Sequence, residues 1–312
     1  MKIKIKTLSP VHIGSGRAIG PIEYFVKDGF FYRVDMDGLF KDTRFQKFQP
    51  LFIKKSLENR KISEVFGDNY DLLMDNILYK HSISKSAENA NLIEVKEIIK
   101  TAGRVYIPGS SIKGSILSGV IEQILFREAI QVDLKSSLGN VLDKITGGTQ
   151  KEFNRWIDIR DTNTFSPENV LELSQVKLIG AKTKRAMPIL YETIKTGCEF
   201  ETEIFWRAKG NQSIDENFIL KLADNFYRKI YQKERTFNKI KQFLPPIPKD
   251  AILLRIGQGS TAWATSFLIL AEEKGITSYN IQRPKFHKTK GPPATRKLVS
   301  GEISMGWIAI SS

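Results

Sequence analysis

The sequence predicts an α+β protein made of two sandwiches, each an antiparallel sheet backed by helices. Three observations lead there. Short strand-like alternations, the first being KIKIKT, recur in both halves of the chain. Long stretches with apolar residues at helical spacing separate them. The strand–helix–strand units lack the regular length of a doubly wound nucleotide-binding sheet. The expected division is a first domain over 1–175, carrying a helical insertion over about 37–100, and a second over 176–312.

Taken in order, Lys2, Lys4 and Lys6 alternate with Ile3 and Ile5, which reads as a half-buried strand. FFYRV (30–34) is expected as its hairpin partner or near neighbour. From about 37 to 100 the spacing of Leu39/Phe40, Leu51/Phe52 and Leu72/Leu73/Ile77 turns helical. LIEVKEIIK (92–100) and RVYI (104–107) are strand-like around the turn TAG, and a helix is expected from about Ser111 to Ile130. WIDIRDT (156–162) is a short strand. The second unit opens with SQVKLIG, a connector and the strand CEFETEIFW (198–206), with Phe200, Ile204 and Trp206 on one face. A long amphipathic helix over 214–243 ends at PPIP, where prolines cannot continue it. AILLRIG (251–257) is a buried strand, a helix follows over 261–274, and ISMGWIAI (303–310) is the last strand.

The chain carries a formal net charge of +14, unevenly spread. Residues 1–175 hold 25 Lys and Arg against 22 Asp and Glu, and residues 176–312 hold 23 against 12, so the second half carries most of the excess. No acid falls between Glu273 and Glu302, while Lys274, Arg283, Lys285, Lys288, Lys290, Arg296 and Lys297 all do. Clustered cations of this kind attract a polyanion, because phosphates release counterions on binding. One cysteine, Cys198, and three histidines exclude a disulfide framework and a Cys/His zinc cluster. No metal and no cofactor are expected. The absence of a long apolar run and of a signal-peptide core at the start makes the expected setting cytoplasmic, away from membranes.

Four segments carry chemistry. In SPVHIGSGR (9–17), Gly14, Ser15 and Gly16 let a ligand approach the backbone and Arg17 adds charge. An ordinary glycine turn explains them equally. His12 is a candidate general base, although a lone histidine is more often structural. In YIPGSSIKGSI (106–116), Ser110 or Ser111 caps a helix whose first turn holds Lys113, which makes either an anion site or a capped core helix. The order of a nucleotide-binding P-loop is absent. In RIGQGSTAWATSF (255–267), Arg255, Gly257 and Gly259 form a glycine-rich junction, and Trp263 either stacks on a base or enters the core. The run RPKFHKTKGPPATRKLV (283–299), with Lys285, Lys288, Lys290, Arg296 and Lys297, reads as an extended basic arm. The pairs Asp35/Asp37 and Asp158/Asp161 lie at strand ends and read as backbone caps.

Together and in this order, these segments resemble the RAMP superfamily of CRISPR proteins. Within it, SPVHIGSG, YIPGSSIKGSI, RIGQGS and the paired endings TRKLV and MGWIAI look like the fifth subunit of type III-A Csm complexes. The resemblance implies ferredoxin-like (RNA-recognition-motif-like) domains and a non-catalytic role in antiviral defence. It further implies capping of the 3′ region of the crRNA and a requirement in crRNA maturation. The partners implied are crRNA, other Csm subunits, above all the terminal backbone subunit, and housekeeping ribonucleases. RNA contacts would fall on Gly14–Gly16, on Ser110, Ser111 and Lys113, and on Arg255, Gly257 and Gly259. The alternative is a repeat-processing endoribonuclease of the same superfamily with His12 as its base.

Overall fold

The computed structural model describes residues 1–67, 69–88, 94–127, 157–179, 189–207, 215–261, 263–264, 269, 273 and 296–311. The first half holds strands β1 (Lys2–Thr7), β2 (Gly14–Ile19), β3 (Tyr24–Lys27), β4 (Phe30–Val34), β5 (Ile77–Ile83), β6 (Val95–Ile98), β7 (Lys100–Thr101), β8 (Arg104–Val105) and β9 (Ile157–Ile159). The second holds β10 (Leu171–Ile179), β11 (Ile189–Ile194), β12 (Glu199–Trp206), β13 (Ile252–Arg255), β14 (Arg296–Val299), β15 (Ile303–Ser304) and β16 (Trp307–Ser311). The helices are α1 (Met36–Lys41), α2 (Gln49–Leu57), α3 (Ser63–Phe66), α4 (Tyr70–Met74), α5 (Lys85–Glu88), α6 (Gly109–Arg127), α7 (Pro167–Val170) and α8 (Glu216–Arg235).

The alternation in KIKIKT places β1 at the centre of the first sheet, which runs β13-β16-β1-β12-β9 and is antiparallel throughout. Lys2, Lys4 and Lys6 face Glu203, Glu201 and Glu199 on the solvent side, so unlike charges fix the register while Ile3 and Ile5 turn inward beside Phe200 and Ile204. Each such side chain contributes about 1.5–3 kcal/mol when fully buried. FFYRV does not pair with β1: β4 lies between β3 and β5, and the partners of β1 are β12 and β16. On one side β12 places acids opposite the lysines of β1, and on the other β16 places Ser311 and Ala309 opposite Lys4 and Lys6.

The second sheet runs β2-β6-β11-β10-β5-β4-β3, with β14 paired to β10 and β15 to β14. It is mixed, since β10 runs parallel to β5 and β11 parallel to β6. The position between residues 175 and 176 falls inside β10, and both sheets draw strands from both sides of it. In the stretch expected as helical, α1–α4 end at Met74 and β5 and β6 follow as strands. Those helices enclose a satellite core around Phe45, Phe52, Phe66 and Leu73, packed against β3 and β4.

The long helix is shorter than expected. Asp215 caps it by accepting from the amide of Phe218, and Thr236 closes it well before the prolines. The last expected strand is split at Gly306, whose φ of +90° only glycine adopts without strain. α6 starts at Gly109 and its cap is Asp161, which accepts from the Gly109 amide at 2.8 Å, so Ser110 and Ser111 lie inside the first turn. Asp35 likewise caps α1 through the amide of Gly38. Trp263 is buried in the main core, while the rest of the helix expected over 261–274 falls almost wholly outside the described residues.

α6 and α8 cross on the inner face of the first sheet at Gly119, where a Cβ would stand 2.7 Å from the Cα of Ala223. Gly114, in the same helix, has nothing within 4 Å. Alanine restores about 0.5–1 kcal/mol of helix propensity at either position, but at Gly119 it must also separate two backbones, an overpacking of about 1–3 kcal/mol. Gly114→Ala is therefore expected to raise the urea midpoint and Gly119→Ala to lower it. A rise for both would show that the two helices do not cross at Gly119.

Candidate nucleic-acid interface

Three segments remote in sequence close on one another at the ends of β1, β13 and β16. A Cβ on Gly257, whose φ is +63°, would lie 2.2 Å from the carbonyl oxygen of His12, and one on Gly259 would lie 2.2 Å from that of Met305. Only glycine fits either contact. The amide of Gln258 donates to the His12 carbonyl at 2.9 Å, the Gly306 amide to Pro10, and the Ile256 amide to Gly306. Ser115 on α6 donates its hydroxyl to the Arg255 carbonyl at 3.1 Å, which ties the first turns of that helix to the base of the loop.

Gly14, Ser15, Gly16 and Arg17 form an exposed, bulged edge on β2, where Ser15 donates to Glu97 and accepts from the Arg17 amide. Gln258 and Ser110 are exposed, and Ser111, Lys113 and Lys297 are half-buried. Lys297 donates to the Gln258 side chain and lies 5.4 Å from the centroid of the Tyr191 ring. Gly259 is buried and Gly257 half-buried, so the loop offers the exposed Gln258 with its amide side chain, part of the Gly257 backbone and nearby cations.

Arg255 and Arg296 occupy a different place from the one expected. Both are 1% exposed, and their guanidinium groups converge on Glu234 of α8, which is itself fully buried. Arg255 donates through Nη1 to both Glu234 oxygens at 2.8 and 3.0 Å, and Arg296 donates through Nε at 2.6 Å. Arg255 also donates through Nε to the Met305 carbonyl and lies over the Trp307 ring. These side chains hold the loop from inside and have no surface to offer a ligand. Lys285, Lys288 and Lys290 lie outside the described residues.

His12 is also buried, 2% exposed, with its ring edge-on to Tyr191. Nδ1 faces the Glu192 carbonyl at 2.7 Å and so donates its proton there, which leaves Nε2 turned toward Gly14. Burial pushes its pKa down to about 4 against the opposing pull of that hydrogen bond. The Glu192 carboxylate is a second buried hub. It accepts from Tyr79, His81, Lys100 and the Ile98 amide. Burial alone would raise its pKa, but the hydrogen bond from His81 and the charge of Lys100 outweigh it and hold the group at about 2.

Sequence reasoning passed over Glu234, Glu192, Gln258 and Tyr191. Glu234 had a signal: Tyr227, Ile230 and Tyr231 set an apolar phase on α8, and Glu234 falls in that phase. Glu192 had none, because its four partners come from strands and loops far away in the chain.

The sequence model of the RAMP superfamily matches residues 4–262. The chain belongs to the RAMP superfamily. Among its RAMP relatives, a protein of Streptococcus thermophilus described as "CRISPR system Cms protein Csm5" is 26% identical, covering 97% of this chain and 92% of the relative. A protein of the same description from Methanocaldococcus jannaschii is 24% identical over 83% of this chain and 71% of its own length. In solved structures, a chain of a Csm–crRNA–target RNA ternary complex of a type III-A CRISPR-Cas system matches with a TM-score of 0.76 at 19% identity, covering both chains fully. The crystal structure of T. onnurineus Csm5 matches with a TM-score of 0.69 at 20% identity, over 98% of this chain and 99% of the other. This RAMP chain shares its mixed α+β fold with both structures.

The two buried groups make stability fall on acidification. Between pH 6.5 and about 4 the unfolded chain binds a proton at His12 that the folded protein refuses, so stability declines with falling pH through that window. Glu192 adds a second decline between about pH 4.5 and 2, where its carboxylate must be protonated. Urea unfolding at pH 7, 5.5 and 4 should show the first decline in the wild type and a shallower one in His12→Gln. Identical slopes would mean that His12 titrates freely in the folded state.

Proposed function

We propose that this RAMP chain is a non-catalytic RNA-binding subunit of a type III-A Csm ribonucleoprotein, seated at the 3′ region of the crRNA and required for its maturation. The observation that carries the proposal is the convergence of SPVHIGSGR, the first turns of α6 and RIGQGS on one glycine cradle, where half-buried Gly257 and exposed Gln258 lie beside Lys297. A backbone without Cβ atoms next to cations suits a sugar–phosphate chain, which offers charge and little shape. The relatives described as Csm5 and the Csm–crRNA complex support the assignment of partners: crRNA and neighbouring Csm subunits. The first sheet supports a ferredoxin-like reading, because β1, α6, β9, β12, α8 and β16 follow a βαββαβ succession. In this proposal the contacts fall on Gly14, Ser15, Gly16, Arg17, Ser110, Ser111, Lys113, Gly257 and Lys297, with buried Gly259 shaping the loop and Lys285, Lys288 and Lys290 adding charge.

The processing endoribonuclease is the weaker reading. A base for the 2′-hydroxyl must come within hydrogen-bond reach of it and hold a proton near neutral pH. His12 is enclosed, neutral and a poor base at a pKa of about 4.

The purified protein is expected to bind single-stranded RNA with affinity that falls steeply with salt. Lys297→Ala should weaken binding and reduce the slope of log affinity against log salt by ~0.7, one phosphate contact on a single strand. Lys113→Ala should act in the same direction without lowering the unfolding midpoint. Labelled repeat RNA should stay intact in the presence of the wild type. Specific cleavage that disappears in His12→Ala would replace this proposal with the endoribonuclease.

A further inference from the structure

We propose that Glu234 is a positioning residue for the glycine cradle: its carboxylate fixes the RIGQGS backbone for RNA through two buried arginines. The inference rests on the RNA-binding reading of that cradle. Glu234 lies on α8, yet each guanidinium it holds belongs to a segment that builds the loop. Arg255 is the last residue of β13, directly before Ile256 and Gly257, and Arg296 opens β14, directly before Lys297. From the same side chain Arg255 reaches the Met305 carbonyl, against which Gly259 is pressed. Its own carbonyl accepts from Ser115 on α6. One carboxylate thus sets the spacing between the loop, the β15–β16 turn and the strand that presents Lys297.

A role in stability alone does not account for this arrangement. Replacing a buried ion triad by well-packed apolar residues is often neutral or stabilising, whereas apolar residues cannot hold the Met305 carbonyl or fix the direction of the chain leaving β13. Positioning predicts that stability and RNA affinity separate, since a loop not ordered beforehand must be ordered on binding.

Two variants of the full chain test this. Glu234→Gln keeps the shape and removes the charge. The triple variant Glu234→Leu, Arg255→Met, Arg296→Met removes the network and keeps apolar packing, so it carries the test where the single variant does not fold. Hydrogen exchange at the Gln258 amide, compared with that at Ile5 in β1, reads the loop against the core. Binding of single-stranded RNA across a salt series reads the site. The expected result is faster exchange at Gln258 in the variant than in the wild type, with exchange at Ile5 unchanged, and a loss of RNA affinity on the order of tenfold, the effect of leaving about one residue to be ordered on binding. The salt slope should stay unchanged, because no phosphate contact is removed. Wild-type protection at Gln258 with wild-type affinity in a folded variant overturns the inference. Failure of the wild type to bind RNA overturns the RNA reading instead, and Gln258 exchange still reports whether Glu234 fixes the loop.

Discussion

Glu234 accepts hydrogen bonds from two guanidinium groups inside the protein, and the architecture around the glycine loop depends on that contact. Neither arginine nor the glutamate retains enough exposure to recover its hydration, so each depends on the others. Removing one member of such a network leaves an uncompensated charge and typically destabilises by about 3–5 kcal/mol. The network joins α8, the end of β13, the start of β14 and the turn before β16. It therefore holds Arg255 and Arg296 at one point, with the loop after Arg255 beside the short run after β1.

The loop sits between two buried carboxylates. On one side Glu234 is satisfied by arginines, and on the other Glu192 is satisfied by Lys100, His81 and Tyr79. His12 joins the loop to the Glu192 backbone: its carbonyl accepts from Gln258 in the loop, and its ring donates to the Glu192 carbonyl. Strand alternation divides the basic pair at the start of β14 between these surroundings. Arg296 points in to Glu234, while Lys297 turns toward Gln258 and Tyr191. Adjacent residues of one charge sign thus serve unlike purposes, one internal and one at the surface.

Much of the fold was legible in the sequence where a local pattern carried it. The alternation of β1, the cap at Asp35 and the apolar face of α8 all follow from residues within a few positions of each other, whereas the cap of α6 is Asp161, 52 residues from Gly109. The pairing of β1 was not legible, because the acids opposite its lysines lie nearly 200 residues away. The mixed second sheet was hidden for the same reason. The glycine motifs were recognisable as close backbone approaches, yet the sequence could not say that His12 and Met305 are what they approach. Basic residues misled at Arg255 and Arg296, since charge in a sequence reads as surface until a buried partner such as Glu234 is known.

The outer face of the first sheet also carries charge, but there Lys2, Lys4 and Lys6 are matched by Glu203, Glu201 and Glu199. A matched ladder has little pull on a polyanion, and among the described residues the proposed RNA surface is therefore the glycine cradle beside Lys297. The most direct measurement is cross-linking of single-stranded RNA to the intact protein, with the linked peptides mapped by mass spectrometry. Cross-links concentrated on residues 14–17, 110–113 and 257–259 and at Lys297 are the predicted result. Cross-links concentrated on the β1–β12 face, with none at the cradle, would contradict the account.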